Sequence, residues 1–329
     1  MILAVTPGDP HGIGPEIVWK ALRKKSAPRG VSLLCIGARE PFEKLGAKII
    51  EAEINGVEFR EPPRSKSPYV WLLPAPKTAP KGRFLPGFQA GWAIERATGL
   101  IQAGQAQALV TGPISKERLQ RGGFIYSGHT DFLADLCGVK QVTMMLANEQ
   151  LRISLVTTHI ALKDVSLKLT PEALRRAVLD TASHLHNWWG IQCPRIAVAA
   201  LNPHAGEDGL FGREEIEVIT PELKQLQKKN LGKFVLFGPL PADTLFAQHI
   251  ATPRGKRYDA VVCMYHDQGL IPVKLLDFPK TVNVTLGLPI VRTSVDHGTG
   301  FDIAGKNKAD PSSLISAIQM AAHIVKTSA

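Results

Sequence analysis

The chain has 329 residues, of which 44% are hydrophobic and 21% are charged. This length and composition predict a globular protein with one large α/β unit or two lobes, and they exclude fibrous and disordered classes. There are 39 Lys and Arg residues against 29 Asp and Glu residues, so the formal net charge is +10. Such a charge allows nucleic acid, a membrane surface or small anions as partners and selects none of them.

The start of the chain and its cysteines indicate where the protein is found. The first ten residues lack the basic start and the long apolar centre of a signal peptide. No apolar run approaches the roughly 20 residues that cross a bilayer. The four cysteines form no Cys-x-x-Cys pair, and Cys35 and Cys263 lie in apolar stretches that are typical of buried reduced thiols. We therefore expect a cytoplasmic protein with no disulfide and no membrane partner.

Short apolar runs alternate with turns and helical patterns along the chain. The runs that we predict to be strands cover residues 2–5, 31–36, 108–111, 152–156, 195–201 and 260–265. Helices are predicted at 16–25 and directly after Ser115. Continuous runs of Val, Ile, Ala and Leu with helical crossovers are typical of buried parallel strands, so the fold class is α/β with one or two open sheets. The proline-rich residues 61–87 are interpreted as a surface insertion without a chemical role.

The loop at residues 6–16, with the sequence TPGDPHGIGPE, joins the first strand to the first helix. Its glycines and the free N–H groups of a helix start suit an anion. A tight strand-to-helix turn explains the same residues equally well. The loop matches neither of the two familiar nucleotide-binding patterns, GxGxxG and GxxxxGK[ST].

Three histidines, His159, His204 and His266, stand just beyond separate predicted strands. Ligands collect at the carboxyl ends of strands in open α/β sheets, so three neutral imidazoles there can converge on one divalent metal ion. Each histidine taken alone is more readily interpreted as a hydrogen-bonded structural residue. Two carboxylates, Asp243 and Asp267, can orient imidazoles, although Asp243 also fits the role of a helix cap.

A second group of polar residues suits an anionic substrate. It consists of His129, Thr130, Lys274, Asn283 and Arg292. Arginine holds a phosphate or carboxylate with two hydrogen bonds and lysine holds it as a point charge, but exposed surface cations are the commoner explanation of such residues. GxSxG and HExxH motifs are absent from the sequence, and aromatic residues do not alternate with the basic runs. We therefore expect neither a serine hydrolase, nor a zincin, nor a nucleic-acid partner.

Seven short motifs occur in order from one end of the chain to the other. They are TPGDPHGIGPE at 6–16, VTGPISK at 110–116, SGHTDF at 127–132, LNPHAGE at 201–207, GPLPADTLF at 238–246, MYHDQG at 264–269 and RTSVDHGT at 292–299. Together they resemble the PdxA family of 4-hydroxythreonine-4-phosphate dehydrogenases, the NAD-dependent enzymes of pyridoxal phosphate biosynthesis. One departure is His11, where members of the family usually carry a small residue such as Ala.

The resemblance implies an isocitrate/isopropylmalate dehydrogenase-like fold with two α/β/α lobes and an active-site cleft between them. The first lobe is expected to comprise residues 1–126 and 295–329, and the second residues 127–294. The resemblance also implies a homodimer with the active site at the subunit interface. In that site one divalent ion (Zn, Mg or Co) is held by three histidines, one of them from the neighbouring subunit. These ligands correspond to His159, His204 and His266, and the substrate contacts correspond to His129, Thr130, Lys274, Asn283 and Arg292.

The implied reaction is the oxidation of 4-phosphooxy-L-threonine by NAD or NADP. The metal ion would acidify the alcohol, and the β-keto acid product can lose carbon dioxide. The general base is open between Asp243, Asp267 and a relayed water, and the residues that contact the nucleotide are not identified. Two alternatives stay open, namely a dehydrogenase of D-threonate or D-erythronate 4-phosphate, and a metal-dependent hydrolase or lyase without nicotinamide.

Overall fold

The structure is a computed structural model that describes residues 1–55, 58–62, 65 and 67–328. It divides the chain into two compact units. Unit 1 comprises Met1–Val142 and Leu288–Lys326, and unit 2 comprises Thr143–Gly287 and Thr327–Ala329. The boundary expected at residue 127 therefore differs from the observed one, and His129, Thr130 and Arg292 belong to unit 1.

The strands and helices follow the α/β alternation that the sequence predicts. The strands are β1 (Ile2–Thr6), β2 (Ser32–Gly37), β3 (Ile49–Glu51), β4 (Ile54–Asn55), β5 (Glu58–Phe59), β6 (Val70–Pro74), β7 (Ala108–Thr111), β8 (Thr143–Ala147), β9 (Arg152–Leu155), β10 (Arg195–Ala199), β11 (Val235–Leu240), β12 (Ala260–Cys263), β13 (Val282–Leu286) and β14 (Val291–Ser294). The helices are α1 (Gly14–Arg23), α2 (Glu40–Lys44), α3 (Leu85–Gln102), α4 (Lys116–Arg121), α5 (His129–Leu136), α6 (Val165–Lys168), α7 (Pro171–Trp189), α8 (Thr220–Lys229), α9 (Ala242–Ala251), α10 (His266–Asp277) and α11 (Ser312–Ser328).

In unit 1 the sheet has the strand order β14-β7-β1-β2-β6-β3, and every neighbouring pair is parallel. Strand β7 is buried at all four positions, which explains why its sequence is a continuous apolar run ending in threonine. Helix α3 packs on β1, β2 and β7. It buries Ile94 and Ala97 in a core with Leu34 and Leu109 of the sheet.

In unit 2 the sheet has the order β11-β10-β12-β9-β8-β13. The pairs from β11 to β9 are parallel, whereas β8 pairs with β9 and β13 in the antiparallel sense. Helices α7 and α10 pack on these strands. The core contains Ile153, Ala197, Val261 and Val273, all fully buried.

The predicted strands are confirmed to within a few residues, and Ser115 caps α4 by accepting a hydrogen bond from the Arg118 N–H. The interpretation of residues 61–87 as a mere insertion is wrong, because β6 lies inside this segment and pairs with both β2 and β3. The first three residues of β6, Val70, Trp71 and Leu72, are buried, so the strand contributes to the core. No described helix is long and apolar enough to cross a membrane.

Candidate active site

Three neighbouring strands of unit 2 carry the predicted metal ligands. Strand β10 pairs with β12, and β12 pairs with β9, all in parallel. Their carboxyl ends lie at one edge of the sheet, and His204, His266 and His159 each follow one of them. The segments that follow β9 and β12 are hydrogen-bonded to each other beyond the strand ends. The Thr157 N–H and hydroxyl both donate to Met264 O, at 3.2 and 2.7 Å.

His159 and His266 lie next to each other. Their ring centroids are 5.5 Å apart and the ring planes are inclined by 44°. Both side chains line a pocket of about 330 Å³ together with Thr157, Thr158, Ile160, Leu162, Val165, Tyr265 and Asp267. His159 is exposed and His266 is half-buried, so both imidazoles are accessible to a ligand. Two accessible imidazoles on one small pocket are a donor set that fits a divalent cation.

His266 is oriented by the carboxylate of the next residue. Its Nδ1 lies 2.7 Å from Asp267 Oδ1. A carboxylate that accepts the Nδ1 proton leaves the Nε2 lone pair free, which is the usual state of a metal-ligating histidine. Asp267 therefore occupies the orienting position considered for it from the sequence.

Asp243 lies in the first turn of α9 and is exposed. The residue at the N-cap of this helix is Pro241, so the interpretation of Asp243 as a helix cap is wrong. Asp243 is not among the residues that line the pocket of His159 and His266. Of the two carboxylate candidates, Asp267 is the one that contacts the histidine pair.

His204 lies in a segment with an uncommon backbone conformation. Residues 204–208 all have positive φ angles, between 42° and 82°. Within the described part of the chain, no group of three His, Cys, Asp or Glu side chains is able to hold a metal ion. One chain thus pairs His159 with His266 and leaves His204 outside the pair. The three-histidine site stays a prediction, and the resemblance places one of its ligands on a neighbouring subunit.

In unit 1, the buried guanidinium of Arg292 lies near the imidazole of His129. Arg292 is 3% exposed, and its Nη2 donates to Thr111 Oγ1 at 2.8 Å. Burial lowers the pKa of Arg292 to about 9. Burial, and to a lesser extent the charge of Arg292, lowers the pKa of His129 well below 6.5. His129 Nε2 is buried without a hydrogen-bond partner among the described residues, so an anionic oxygen fits here.

The other predicted substrate residues are distributed over both units. Thr130 follows His129 in the first turn of α5 and is half-buried. In unit 2, Lys274 lies on α10 and Asn283 lies on β13, and both are half-buried. Each unit therefore carries part of the set, and within unit 1 the structure brings His129 and Arg292 together.

We expect His129→Asn to make the stability of the protein less dependent on pH between about 5 and 7. The folded pKa of His129 lies below the unfolded value near 6.5. The unfolded chain therefore binds a proton that the folded chain does not, and stability falls as the pH falls through this range. Removing the ring should reduce that slope by up to about 1.4 kcal/mol per pH unit.

Urea unfolding of the parent and of His129→Asn between about pH 5 and 7 measures the slope of the free energy of unfolding against pH. His249→Asn is a suitable comparison, because burial also lowers the pKa of His249. A slope that changes for the His249 variant and stays the same for the His129 variant would mean that folding does not lower the pKa of His129.

Unit 1 also contains a larger pocket, of about 790 Å³. It lies at the carboxyl ends of β1, β2 and β6, where nucleotides bind in doubly wound sheets. The apolar part of its lining includes Pro10, Pro15, Ala38, Pro41, Leu45, Pro74, Ala75, Leu85, Pro86 and Ala304. His11, the departure from the family pattern, also lines it. The proline-rich segment therefore has a place in a candidate binding site.

Five of the charged residues that line this pocket form ion pairs with one another. Arg39 pairs with both Glu43 and Glu51, and Lys44 pairs with Glu40 at 2.7 Å. These cations are largely neutralised by the carboxylates beside them. The pocket thus combines apolar walls with carboxylates that can accept hydrogen bonds. Such a lining suits a neutral adenosine group better than a group that carries an additional negatively charged phosphate.

Two residues with a clear role at the strand ends were not identified from the sequence. Thr111 accepts the hydrogen bond from Arg292. Gln268 is buried, accepts from the Met264 N–H at 2.7 Å and donates to Ala200 O at 2.6 Å, which joins the ends of β12 and β10. Both lie inside motifs that carry the family resemblance, and that position is the only signal that points to them.

Comparison with known proteins gives a consistent result over nearly the whole chain. Residues 33–321 match the family described as Pyridoxal phosphate biosynthetic protein PdxA. A 4-hydroxythreonine-4-phosphate dehydrogenase of Caulobacter vibrioides is 44% identical, with 98% of this chain and 97% of the relative covered. A protein of Bradyrhizobium diazoefficiens named as a D-threonate 4-phosphate dehydrogenase is also 44% identical, with 97% and 95% covered.

Solved structures agree with this match. The crystal structure of 4-hydroxythreonine-4-phosphate dehydrogenase from Klebsiella pneumoniae has a TM-score of 0.84 at 36% identity and covers 98% of each chain. A β-decarboxylating dehydrogenase from Thermococcus kodakarensis has a TM-score of 0.51 at 15% identity, over 98% of this chain and 81% of that one. This distant likeness concerns the fold alone. The isocitrate/isopropylmalate dehydrogenase-like α/β class expected from the sequence is confirmed.

Proposed function

Because this chain belongs to the pyridoxal phosphate biosynthetic protein PdxA family, we propose that it catalyses the NAD-dependent oxidation of 4-phosphooxy-L-threonine. The product, 2-amino-3-oxo-4-phosphooxybutanoate, is a β-keto acid that loses carbon dioxide to give 3-amino-2-oxopropyl phosphate. The observation that carries the proposal is the pair of accessible imidazoles, His159 and His266, on one small pocket at the strand ends.

A divalent ion, Zn, Mg or Co, fits the donor set at these strand ends. His159 and His266 of one subunit and the partner's His204 would hold it. When bound, the ion supplies a Lewis acid that lowers the pKa of the substrate alcohol, and the nicotinamide supplies the hydride acceptor. His266 contributes a preoriented ligand, because Asp267 fixes its Nδ1 and leaves Nε2 free.

The remaining site residues hold the substrate in one orientation. Oxidation removes a hydride from C3 and a proton from its oxygen, so the position of C3 must be fixed. Arg292 is buried and presents a planar fork for an anionic group, with His129 beside it. Lys274 offers a point charge for a second anionic group, and Thr130 and Asn283 offer neutral hydrogen bonds.

The proton of the alcohol needs an acceptor. Asp267 is engaged with His266, and Asp243 lies outside the pocket of the histidine pair. Of the three candidates considered from the sequence, a relayed water is therefore the one that this geometry supports best. In such a relay the side chains act by placing the water within hydrogen-bond reach of the alcohol.

A homodimer would complete the site. Large apolar side chains are exposed on the segments that follow the three histidines: Ile160 and Leu162 after His159, Leu210 and Phe211 after His204, and Ile271 and Leu275 on α10 after His266. Exposed large apolar side chains are typical of protein interfaces. Their position around the histidines supports an interface that contains the metal site.

The larger pocket of unit 1 would hold the adenosine part of the cofactor. Its volume of about 790 Å³ and its proline-rich walls suit a flat base with a ribose. Glu16 lines this pocket and is 3% exposed, and its Oε2 has no hydrogen-bond partner among the described residues. A buried carboxylate oxygen of this kind can accept a hydrogen bond from a ribose hydroxyl.

We expect kcat/KM to be at least about tenfold higher with NAD than with NADP, which corresponds to about 1.4 kcal/mol. The additional 2′-phosphate of NADP would face the carboxylates of Glu40, Glu43 and Glu51 and be repelled by them. The cations Arg39 and Lys44 are already paired with these carboxylates. Glu51→Ala releases one partner of Arg39 and should improve NADP relative to NAD.

Initial rates with both cofactors measure this preference, and direct titration with ADP-ribose and 2′-phospho-ADP-ribose measures binding without turnover. Glu117→Ala is a matched control, because Glu117 is an exposed glutamate paired with Arg121 and does not line the pocket. Equal effects of the two substitutions, or a preference for NADP, would contradict this assignment of the pocket.

The second candidate substrate is D-threonate 4-phosphate, which is favoured by the 44% identical relative of Bradyrhizobium diazoefficiens. The deciding experiment is a panel of 4-phosphooxy-L-threonine, D-threonate 4-phosphate and D-erythronate 4-phosphate with purified protein, NAD and one divalent ion at a time, followed by NADH formation. The proposal predicts that 4-phosphooxy-L-threonine gives the highest kcat/KM. If only a sugar-acid phosphate were turned over, it would replace 4-phosphooxy-L-threonine as the proposed substrate. Cleavage of the substrate without formation of NADH would favour the hydrolase or lyase alternative.

The relatives compared are bacterial proteins, and the proposed reaction belongs to their biosynthetic metabolism. This supports a cytoplasmic enzyme whose partners are a small phosphorylated substrate and a second copy of the chain. The reaction involves neither nucleic acid nor a membrane.

A further inference from the structure

The segment that carries His204 is strained and needs an anchor. Four of its non-glycine residues, His204, Ala205, Glu207 and Asp208, have φ angles between 42° and 57°. L-residues pay a steric penalty in this left-handed region, and a run of them persists only where the surroundings determine the conformation. Something outside residues 204–208 must therefore hold them.

The carboxylate of Glu215 is placed to do this. Glu215 begins a π-helical turn, Glu215–Ile219, and is 3% exposed. Its Oε1 accepts from the Leu201 N–H and the Asn202 N–H, both at 2.8 Å. Its Oε2 accepts from the side-chain amide of Asn202 at 2.9 Å. Glu215 thus fixes the two residues that lead from β10 into the segment of His204.

The Glu215 carboxylate also lies close to the middle of the segment of His204. A Cβ added to Gly206 would lie 2.8 Å from Glu215 Oε2 and 3.1 Å from Gly212 O. The glycine therefore lets the left-handed backbone approach the buried carboxylate closely. A second carboxylate, Glu214, accepts from Asn202 Nδ2 at 2.7 Å and ties the segment to Ser166.

We infer that Glu215 is the positioning residue for His204. It holds the residues that lead into the left-handed segment and lies close to Gly206 at its centre, so that the imidazole is presented in one orientation for a ligand shared with the partner subunit. This inference rests on the proposed function in that His204 is taken as a metal ligand. Glu215 touches neither the metal nor the substrate and acts only through the backbone that carries His204.

The chain offers a matched control on the next helix. Glu222 lies on α8, is 4% exposed and makes a bidentate pair with Arg175, both contacts at 2.8 Å. It is as buried as Glu215 but is bonded to α7 and not to the segment of His204. Loss of Glu215 removes the acceptor of two backbone N–H groups, and loss of Glu222 removes a bidentate ion pair, so both alanine variants should lose thermal stability.

The experiment compares Glu215→Ala, Glu215→Gln and Glu222→Ala in the full chain. The first measurement is the Zn²⁺ dissociation constant, determined by competition with a chelator. Glu215→Ala should bind Zn²⁺ about 10- to 100-fold more weakly, as expected when the support of a metal ligand is lost. Glu215→Gln keeps an oxygen for the two backbone N–H groups and should recover part of the affinity, whereas Glu222→Ala should bind Zn²⁺ within about twofold of the parent.

The second measurement is hydrogen exchange of peptides that cover residues 201–212, in metal-free protein. Glu215→Ala should exchange faster there, and Glu222→Ala should not. Unchanged Zn²⁺ affinity and exchange in Glu215→Ala, or equal losses in both alanine variants, would overturn the positioning role. A parent protein that binds no Zn²⁺ would contradict the proposed metal site instead, and hydrogen exchange then still decides whether Glu215 holds the segment. Should Glu215→Ala fail to fold, the glutamine variant is compared with Glu222→Gln in the same way.

Discussion

Replacing His204 with alanine is expected to abolish metal retention and to lower kcat/KM by at least about a thousandfold, which corresponds to about 4 kcal/mol of transition-state stabilisation. The fold should survive, because His204 is exposed and lies outside the core of unit 2. Metal content after gel filtration, the circular dichroism spectrum and steady-state kinetics measure the three parts of this expectation. Full turnover of the variant after treatment with a chelator would disprove the metal role.

Mixing inactive variants tests whether the site is shared between subunits. If His204 comes from the partner, a dimer of a His159→Ala subunit and a His204→Ala subunit has one site with both changes and one intact site. Random reassembly makes half of the dimers mixed, so about one quarter of the parent activity should return. His159→Ala mixed with His266→Ala is the matched control. These two ligands lie on the same chain, 5.5 Å apart between ring centroids, so no intact site forms and no activity should return.

Arg292→Lys is expected to raise KM for the phosphorylated substrate at least about tenfold, with a smaller change in kcat. The guanidinium is buried and already oriented by Thr111 Oγ1, so it meets an anion with two parallel N–H groups at little additional entropy. Lysine keeps the positive charge but lacks the two parallel N–H donors of the guanidinium. Arg292→Ala should raise KM further, because it leaves the anion without its buried cation.

Arg152→Lys provides the comparison for a half-buried arginine outside the site. Burial also lowers the pKa of Arg152, whose Nη1 donates to Asp259 O at 3.1 Å in unit 2. Its replacement should affect stability and leave KM unchanged. Equal KM values for the parent and Arg292→Lys would remove Arg292 from the substrate site.

The secondary structure and the positions of the histidines could be predicted because both depend on local patterns. Strands buried on both faces have continuous apolar sequences, and ligands of such sheets gather where the strands end. His159, His204 and His266 follow β9, β10 and β12, which are neighbours in the sheet. The family resemblance adds the proposed substrate residues, whose types alone do not distinguish them from ordinary surface residues.

The parts that could not be predicted depend on contacts between distant residues. The left-handed course of residues 204–208 follows two residues that Glu215 holds, and nothing in the local sequence distinguishes Glu215 from Glu214 and Glu217. The segment 61–87 has many prolines, which conceal a short strand that is stabilised by pairing with β2 and β3. The second lobe expected from the resemblance includes Arg292, whereas Arg292 belongs to unit 1, and the composition of the chain does not change at the boundary between the units.

The close pair of His159 and His266 has a thermodynamic consequence if the partner's His204 is the third ligand. A separated subunit would then offer two imidazoles and hold an ion only weakly. Because linkage is reciprocal, whatever factor dimerisation adds to the affinity for the ion, the ion adds to the affinity between subunits. Chelation would loosen the assembly, dilution would release the ion, and a titration of either equilibrium would report on the other.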